Sequence, residues 1–280
     1  MSGAKMAVVY HASCMDGAAA AATVYYLSFS NIDFFALPPS ESFEARHYNL
    51  VMVLDMTLPK DNIVDLMEAG STVQIVDHHI TGFEKTKWFE GYKYWPNNSG
   101  CVATWKTLTK SKVPKSLMYV EDRDLWKWKL PNSKELNAYI QAQDRDIPRL
   151  SKFLFGTFKP NKAAVEIGRE ILKAQDALVE EQASMALRVG DILFVNATTL
   201  QSEIGHCLLE REKDDSSVAV IYSHRPWGKV RVSLRSKENG PDVSRTASIM
   251  GGGGHKHSAG MTVTLREFEK FRQDLMEGKC

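Results

Sequence analysis

Runs of apolar and β-branched residues alternate with helical stretches along the first half of the chain. The predicted strands are Met6–Tyr10, Ile32–Leu37, Leu50–Leu54 and Ser71–Val76, and the predicted helices are Gly17–Leu27, Lys60–Glu68 and Cys101–Leu108. Strands that alternate with helices are typical of βαβ crossovers. We therefore expect a mostly parallel sheet with helices packed on its faces.

The second half of the chain begins with a long helical pattern. Ala, Glu, Gln, Leu and Lys recur at helical spacing over Pro160–Arg188, which predicts a connecting helix. The elements predicted after it are strands near Ile192–Asn196, Ser217–Tyr222 and Lys229–Leu234 and helices near Gln201–Glu212, Val243–Met250 and Leu265–Glu277. The sequence thus predicts an α/β protein with a parallel-sheet domain at 1–150, a helical linker at 151–188 and a smaller α+β domain at 189–280.

Composition limits the classes of protein to which the chain can belong. Its 280 residues are 44% apolar, enough for one large or two modest cores, and the net charge of +1 gives no overall attraction to long nucleic acid. We see neither a signal-peptide pattern at Met1–Tyr10 nor an apolar run of membrane-spanning length. The four cysteines (Cys14, Cys101, Cys207 and Cys280) are scattered, which favours a reducing, intracellular and cytoplasmic location.

Residues of the kind that bind metals follow three of the predicted strands. His11 and Asp16 follow the first strand, Asp55 follows the third, and Asp77–His79 (the triplet Asp-His-His) follows the fourth. The carboxyl ends of parallel strands line the binding crevice of an open sheet. Asp16 and Asp55 taken singly are equally compatible with helix N-caps. Three such strand ends together favour a metal site over coincidence.

Two motifs together resemble a known family. Asp77–His79 after a strand, with GGGGHKHSAG at Gly251–Gly260, is similar to the DHH phosphoesterase superfamily with its DHH-associated C-terminal domain. That superfamily includes RecJ-type exonucleases, nanoRNases, phosphoadenosine-phosphate phosphatases, cyclic-dinucleotide phosphodiesterases, exopolyphosphatases and family II pyrophosphatases. The likeness runs from about His11 to Gly260. It implies that the first domain is catalytic and binds metal and that the second binds substrate.

The resemblance implies a site with two divalent ions. Carboxylates with a few imidazoles suit Mn²⁺ or Mg²⁺ better than zinc, and two such ions activate water and neutralise phosphoryl charge. The ligands that the family implies are His11, Asp16, Asp55, His78 and Asp122, with Asp55 bridging the two ions. The resemblance also implies that His79 faces the substrate phosphate. Asp77 either ligates a metal or orients the imidazoles.

The metal-binding role of two positions stays open. Asp122 lies where the family ligand is expected, but Asp124 is two residues away and is an alternative metal ligand, a partner of Arg123 or an acidic helix cap. Cys14 stands where many family members have an Asp, within the pattern HxxCxDG that a subset of the superfamily shares. The thiol is either a softer ligand for the first metal or a small packing residue.

The second domain carries the residues that the resemblance assigns to the substrate. A glycine run allows the main chain to approach an anion closely, although such a run without the first motif would be called a flexible linker. Arg235 is expected to grip a terminal phosphate through its planar guanidinium. The implied substrate-binding residues are Arg235, Ser236, Gly252, Gly253, Gly254 and His255. The nearby residues His224, Arg225 and Trp227 could stack a base, but a hairpin tip is the better interpretation.

We therefore expect a Mn²⁺- or Mg²⁺-dependent phosphodiesterase that hydrolyses short oligonucleotides or small nucleotides from an end. Other enzymes kept open are a phosphatase of bisphosphorylated adenosine, a cyclic-dinucleotide phosphodiesterase and an exopolyphosphatase. A non-catalytic nucleotide-binding protein is the alternative from another class. The expected partner is the nucleotide substrate, no membrane is involved, and a homodimer is left open.

Overall fold

The chain forms two compact units, Met1–Leu172 and Lys173–Cys280. A computed structural model describes residues 5–12, 14–28, 31–38, 41–44 and 47–277. Cys280 lies outside the described residues, and the other three cysteines are free thiols. Among the described residues, no helix combines the length and the apolar character needed to cross a membrane.

The first unit is built on a five-stranded sheet in which every strand pair is parallel, in the order β2-β1-β3-β4-β5. Its strands are β1 (Met6–His11), β2 (Ile32–Leu37), β3 (Leu50–Leu54), β4 (Thr72–Asp77) and β5 (Tyr92–Tyr94). Its helices are α1 (Met15–Leu27), α2 (Lys60–Glu68), α3 (Ile80–Thr86), α4 (Gly100–Leu108), α5 (Lys115–Asp124), α6 (Ser133–Gln141) and α7 (Ile147–Lys152), with a π-helical turn at Phe153–Thr157. The predicted parallel α/β fold is confirmed.

Both faces of this sheet are buried, as is usual for parallel strands. Alternation along β1 sends Val8 into one core and Ala7 and Val9 into the other. The first core includes residues of α1, α4, α5, α6 and α7, and the second includes residues of α2. The first core continues past residue 150 as far as Val165, because the segment after α7 packs back against it.

A stretch of small residues lets α1 approach the sheet and its neighbouring helices closely. The five alanines at 18–22 are at most 1% exposed. Gly17 at the start of the helix lies against β1, since a Cβ there would stand 2.7 Å from the carbonyl oxygen of His11. Close packing at this point fixes Asp16 next to the carboxyl end of β1.

A long helix, α8 (Lys162–Ser184), links the two units. Its early residues Ala164 and Val165 belong to the first core, whereas Val179 and Ala183 belong to a core of the second unit. The boundary between the units falls inside this helix, after Leu172.

The second unit has a six-stranded mixed sheet in the order β10-β11-β9-β8-β7-β6, in which β7 and β8 are parallel and the other pairs antiparallel. Its strands are β6 (Leu187–Val189), β7 (Ile192–Asn196), β8 (Val218–Arg225), β9 (Lys229–Ser236), β10 (Gly253–His255) and β11 (Ser258–Thr264), and its helices are α9 (Gln201–Glu210), α10 (Val243–Ile249) and α11 (Leu265–Met276). Helix α9 packs on one face of the sheet and helices α10 and α11 on the other. The β8–β9 turn carries the exposed Trp227, so that segment is a hairpin tip.

Candidate metal centre and substrate-binding residues

The side chains expected from the strand ends meet at one edge of the first sheet. Strand β1 ends at His11, Asp55 directly follows β3, and β4 ends at Asp77. The strand order places β1 beside β3 while β2 lies on the other side of β1, so the chain reverses its direction of winding between these two strands. A sheet opens a binding crevice at such a point, above the carboxyl ends of its strands.

Asp55 is at the centre of this group. One carboxylate oxygen lies 3.1 Å from His78 Nε2, and the other lies 3.5 Å from His11 Nδ1. His78 Nε2 also lies 4.0 Å from Asp16 and 3.6 Å from Asp124. Asp16, Asp55 and His78 are each at most 2% exposed. Three carboxylates and two imidazoles therefore surround one small, largely buried volume.

The backbone at Asp55 is unusual in a way that directs its carboxylate. Its φ is 60°, a left-handed value that residues with a Cβ seldom adopt, and its N–H donates to the carbonyl of Val76 at 2.9 Å. Gly100, the first residue of α4, lies against it, and a Cβ there would stand 2.6 Å from the Cβ of Asp55. Since α2 begins only at Lys60, Asp55 does not cap that helix.

Asp16 is held by a helix other than its own. Its carboxylate accepts hydrogen bonds from the backbone N–H of Gly100 and from that of Cys101, the latter at 3.0 Å. These donors are the free amides of the α4 N-terminus, which also favours negative charge through the helix dipole. Ser99 is the N-cap residue of α4, but its side chain does not cap the helix. Sequence reasoning predicted a helix at Cys101–Leu108 but missed this role of its N-terminus.

Asp77 orients a neighbouring imidazole. Its Oδ1 accepts from the backbone N–H of His78 at 2.7 Å and of His79 at 3.2 Å, and lies 2.7 Å from His79 Nδ1. Its Oδ2 accepts from the Tyr92 hydroxyl at 2.8 Å. Of the two roles left open by the sequence, this bonding favours the orienting one. Tyr92 is a further residue of the site that the sequence did not reveal.

Asp122 and Asp124 have different surroundings in the structure. Asp122 is buried and accepts hydrogen bonds from the Lys129 N–H, the Leu130 N–H and the Ser133 hydroxyl at 3.1, 3.1 and 2.6 Å. Asp124 instead lies beside His78. This placement makes Asp124 a better candidate ligand than Asp122. Asp124 is the last residue of α5, so it is not an acidic cap at the start of a helix.

The donor set fits two divalent ions that share the region of Asp55. Potential ligand atoms of His11, Cys14 and Asp55 lie within 4.8 Å of one another, and so do those of Asp16, His78 and Asp124. The Oδ2 atom of Asp55 is buried and has no hydrogen-bond donor among the described residues. Carboxylate oxygens with imidazole nitrogens suit Mn²⁺ or Mg²⁺. The residues present therefore fit the cofactor that the family implies.

The electrostatics of the group also favour a cation. Burial, with Asp124 and Asp55 nearby, raises the pKa of Asp16 well above its usual value. Burial opposes the charge of Asp55 as well, but the imidazoles of His11 and His78 outweigh it and hold its pKa well below the usual range. Burial would lower the pKa of His78, yet Asp55, Asp124 and Asp16 raise it to about 10. Carboxylates crowded in this way lose their mutual repulsion when a divalent ion binds.

Cys14 lies at the rim of the group. It is half-buried and is the N-cap residue of α1, without a capping hydrogen bond from its side chain. Burial, followed by the charges of Asp55, Asp124 and Asp16, raises the pKa of its thiol well above the usual value. A thiol must lose its proton to ligate a metal. Both interpretations of Cys14 remain compatible with its position.

In the second unit, the glycine run is an ordered turn. The amides of Gly251 and Gly252 donate to Ser248 and Ala247 at 3.1 and 2.7 Å and so end α10. A Cβ on Gly252 would stand 2.2 Å from the carbonyl oxygen of Gly260. The linker interpretation is thereby excluded, and these two amides are engaged within the protein. Gly253 and Gly254 lie in β10, next to His255.

Arg235 and His255 belong to one row of the second sheet. His255 pairs with Ser258, and Ser258 pairs with Arg235. Directly opposed residues point to the same face, so the two side chains share a face at about 10 Å, two strand spacings. The Arg235 guanidinium donates to the Ser202 hydroxyl at 2.8 Å. The Ser236 hydroxyl donates to the Pro241 carbonyl at 2.7 Å, so the fold itself uses this hydroxyl.

Comparison with known proteins agrees with this arrangement. The DHHA1 domain model matches residues 194–277. Oligoribonuclease NrnB of Bacillus subtilis (strain 168) is 23% identical over 261 residues, which cover 81% of this chain and 63% of NrnB. Residues 194–277 are thus similar to a DHHA1 domain, and the chain as a whole is similar to an oligoribonuclease. The DHHA1 match covers most of the second unit, and Asp77–His79 in the first unit resembles the DHH triplet.

Two other proteins are also similar to this chain. Uncharacterized protein R106 of Acanthamoeba polyphaga mimivirus is 24% identical over 289 residues, covering 92% of this chain and 67% of R106. The structure of RecJ in complex with Mn²⁺ from Thermus thermophilus matches with a TM-score of 0.54 at 13% identity, covering 98% of this chain and 52% of RecJ. The latter shows that the DHH fold is shared. The chain spans about two thirds of the length of the two curated relatives.

Proposed function

We propose that this DHH protein hydrolyses phosphodiester bonds in short oligonucleotides or small nucleotides, starting from an end, with two Mn²⁺ or Mg²⁺ ions. The observation that carries the proposal is the buried carboxylate of Asp55, which contacts both His78 and His11. Two potential ligand groups meet around it. An oligoribonuclease among the relatives supports a nucleotide substrate.

In this proposal the ligands form two sets. His11 and Asp55, with Cys14 at the rim, would hold one ion, and Asp16, His78 and Asp124 would hold the other. Asp55 lies close enough to both sets to be shared. When bound, two divalent ions lower the pKa of water and neutralise charge on the phosphoryl oxygens.

The remaining residues bind and orient the substrate. Asp77 fixes the ring of His79 through its Nδ1, and we assign His79 to the substrate phosphate. Arg235 and His255, with the adjacent Gly253 and Gly254, bind a terminal phosphate, since a guanidinium and an imidazole on one sheet face suit an anion. Binding of an end phosphate favours exo-type hydrolysis of short substrates. We also propose a reducing, intracellular location, in line with the free thiols of Cys14, Cys101 and Cys207.

The proposal is tested with purified protein and four substrates. We expect Mn²⁺-dependent hydrolysis of a 5′-phosphorylated dinucleotide, abolished by EDTA and by Asp55→Asn, and slower turnover of adenosine bisphosphate and polyphosphate. The His255→Ala variant should reduce kcat/KM for the dinucleotide by about ten- to a hundredfold, the loss of one charge-assisted hydrogen bond of about 1.5–3 kcal/mol. It should spare bis-p-nitrophenyl phosphate, which needs no end recognition. Polyphosphate as the preferred substrate, or equal loss with both diesters, would contradict the proposal.

A further inference from the structure

The segment that follows α5 is wound around Asp122. The carboxylate of Asp122 accepts from the amides of Lys129 and Leu130 at 3.1 Å each, and its backbone carbonyl accepts from Lys127 and Trp128 at 2.8 and 3.3 Å. One buried aspartate thus holds four of the five residues of the segment Trp126–Leu130, which we call the tryptophan turn. Most of the hydrogen bonds that fix its shape therefore involve its backbone amides.

The two tryptophans of this turn have backbone conformations that bulky residues seldom adopt. The φ angles are 53° at Trp126 and 51° at Trp128, both in the left-handed region. Such conformations persist only where surrounding contacts enforce them, and they concentrate at functional sites. Here the amide of Trp126 donates to the Arg123 carbonyl at 2.9 Å, and that of Trp128 donates to the Asp122 carbonyl.

Packing does not account for these indole rings. Neither ring belongs to the two hydrophobic cores of the first unit, and both side chains are half-buried. The rings of Trp126 and Trp128 meet edge to face, with centroids 5.0 Å apart. Lys134 lies over the Trp128 ring at 6.0 Å from its centroid. The turn therefore displays a pair of large aromatic surfaces that the core does not use.

The turn is next to the metal centre. Trp126 follows Asp124 by two residues, so their Cα atoms are at most about 7 Å apart. Asp124 lies 3.6 Å from His78. Exposed Lys127 and Lys129 alternate with the two tryptophans. Alternating aromatic and cationic side chains suit a single-stranded nucleotide, whose bases stack on rings while its phosphates meet the ammonium groups.

We propose that the tryptophan turn stacks a nucleobase of the substrate whose phosphate lies at the metal centre, and that Asp122 is the positioning residue that holds the turn for this purpose. This inference rests on the proposed function. Stacking on the tryptophan turn selects diesters that carry a base over polyphosphate, because an inorganic chain has no aromatic face to stack on an indole. The selection is tolerant of base identity, since every base offers a π-face.

Kinetics with and without a base test the proposal. The substrates are a 5′-phosphorylated dinucleotide and its abasic analogue, which keeps the sugars and phosphates. Stacking of one base changes binding by about five- to a hundredfold, so Trp126→Ala and Trp128→Ala should raise KM for the dinucleotide by that factor and leave KM for the abasic analogue unchanged. Phenylalanine at either position should restore most of the loss, and leucine should not. Trp88→Ala, a partly exposed tryptophan of the same unit, is the matched control.

Binding without catalysis gives a second measurement. In EDTA, the dinucleotide should quench the intrinsic tryptophan fluorescence of the wild type and of Trp88→Ala, and the abasic analogue should not. The quenching should decrease in Trp126→Phe and Trp128→Phe. These conservative variants keep the test decisive if the alanine variants fail to fold.

The outcomes separate this inference from the function on which it rests. Wild type that hydrolyses neither diester contradicts the proposed function. Wild type that hydrolyses both, with dinucleotide KM unchanged in the tryptophan variants or raised equally for the abasic analogue, overturns the stacking role and leaves the phosphodiesterase proposal standing.

Discussion

At the scale of single residues, the two aspartates at the end of α5 show how near neighbours differ. Residues two apart on a helix point about 200° away from each other, so one of the pair must face away from the site. Asp122 faces the tryptophan turn and is saturated by three donors, whereas Asp124 faces His78. The sequence offers two carboxylates and no means of choosing, because only the packing of α5 decides which face is inward.

The two aspartates should therefore respond differently to substitution. Asp122→Asn should lower the free energy of unfolding by about 2–3 kcal/mol, because it removes a charged acceptor of three hydrogen bonds. Asp124→Asn should leave stability unchanged or increase it in metal-free protein. Burial raises the pKa of Asp124 and the negative charge of Asp55 raises it further, so an ionised carboxylate there is unfavourable.

Chemical denaturation and Mn²⁺ titration check this pair. We expect Asp124→Asn to weaken Mn²⁺ binding at least about tenfold, as loss of a ligand does, while Asp122→Asn binds Mn²⁺ almost normally under native conditions. The reverse pattern would restore Asp122 as the ligand.

At the scale of elements, the strand ends were predictable and the helix contacts were not. The predicted strands Leu50–Leu54 and Ile192–Asn196 have these bounds in the structure, because a short apolar run rich in β-branched residues can be recognised from the local sequence alone. Strands β5 and β10 are three residues each and carry no such pattern. The role of α4 in holding Asp16 depends on residues 84 positions apart, which no local pattern reveals.

The start of α4 gives a testable consequence of this long-range contact. Gly100→Ala would place a Cβ 2.6 Å from that of Asp55 and 2.7 Å from its Oδ1. We expect a loss of about 1–3 kcal/mol in the free energy of unfolding and weaker Mn²⁺ binding, because α4 and Asp55 must move apart.

Gly156→Ala is the matched control, since a Cβ at Gly156 meets no atom within 4 Å. It should change stability by less than about 0.5 kcal/mol and leave Mn²⁺ binding intact. Equal thermal stability and metal affinity in the two variants, measured by differential scanning calorimetry and Mn²⁺ titration, would show that the tight approach of Gly100 to Asp55 is unimportant.

At the scale of the whole molecule, each compact unit contains part of what the proposed reaction needs. The first unit holds the buried carboxylates and imidazoles, and the second has the Arg235–His255 row on its own sheet with separate cores. The two sequence motifs indicated this division, because Asp77–His79 lies in the first unit and Gly251–Gly260 lies in the second. What the sequence could not predict is that the glycine run is a helix end and strand edge, since glycine tracts alone are typical of linkers.

We propose that two metal ions share Asp55, and anomalous diffraction from crystals grown with Mn²⁺ tests this sharing most directly. We predict two manganese peaks about 3.5–4 Å apart, both within ligand distance of Asp55, with Asp124 rather than Asp122 as a ligand of one. In crystals of Asp55→Asn, at least one of the peaks should be lost. A single peak, or peaks that do not contact Asp55 in the wild type, would contradict the account.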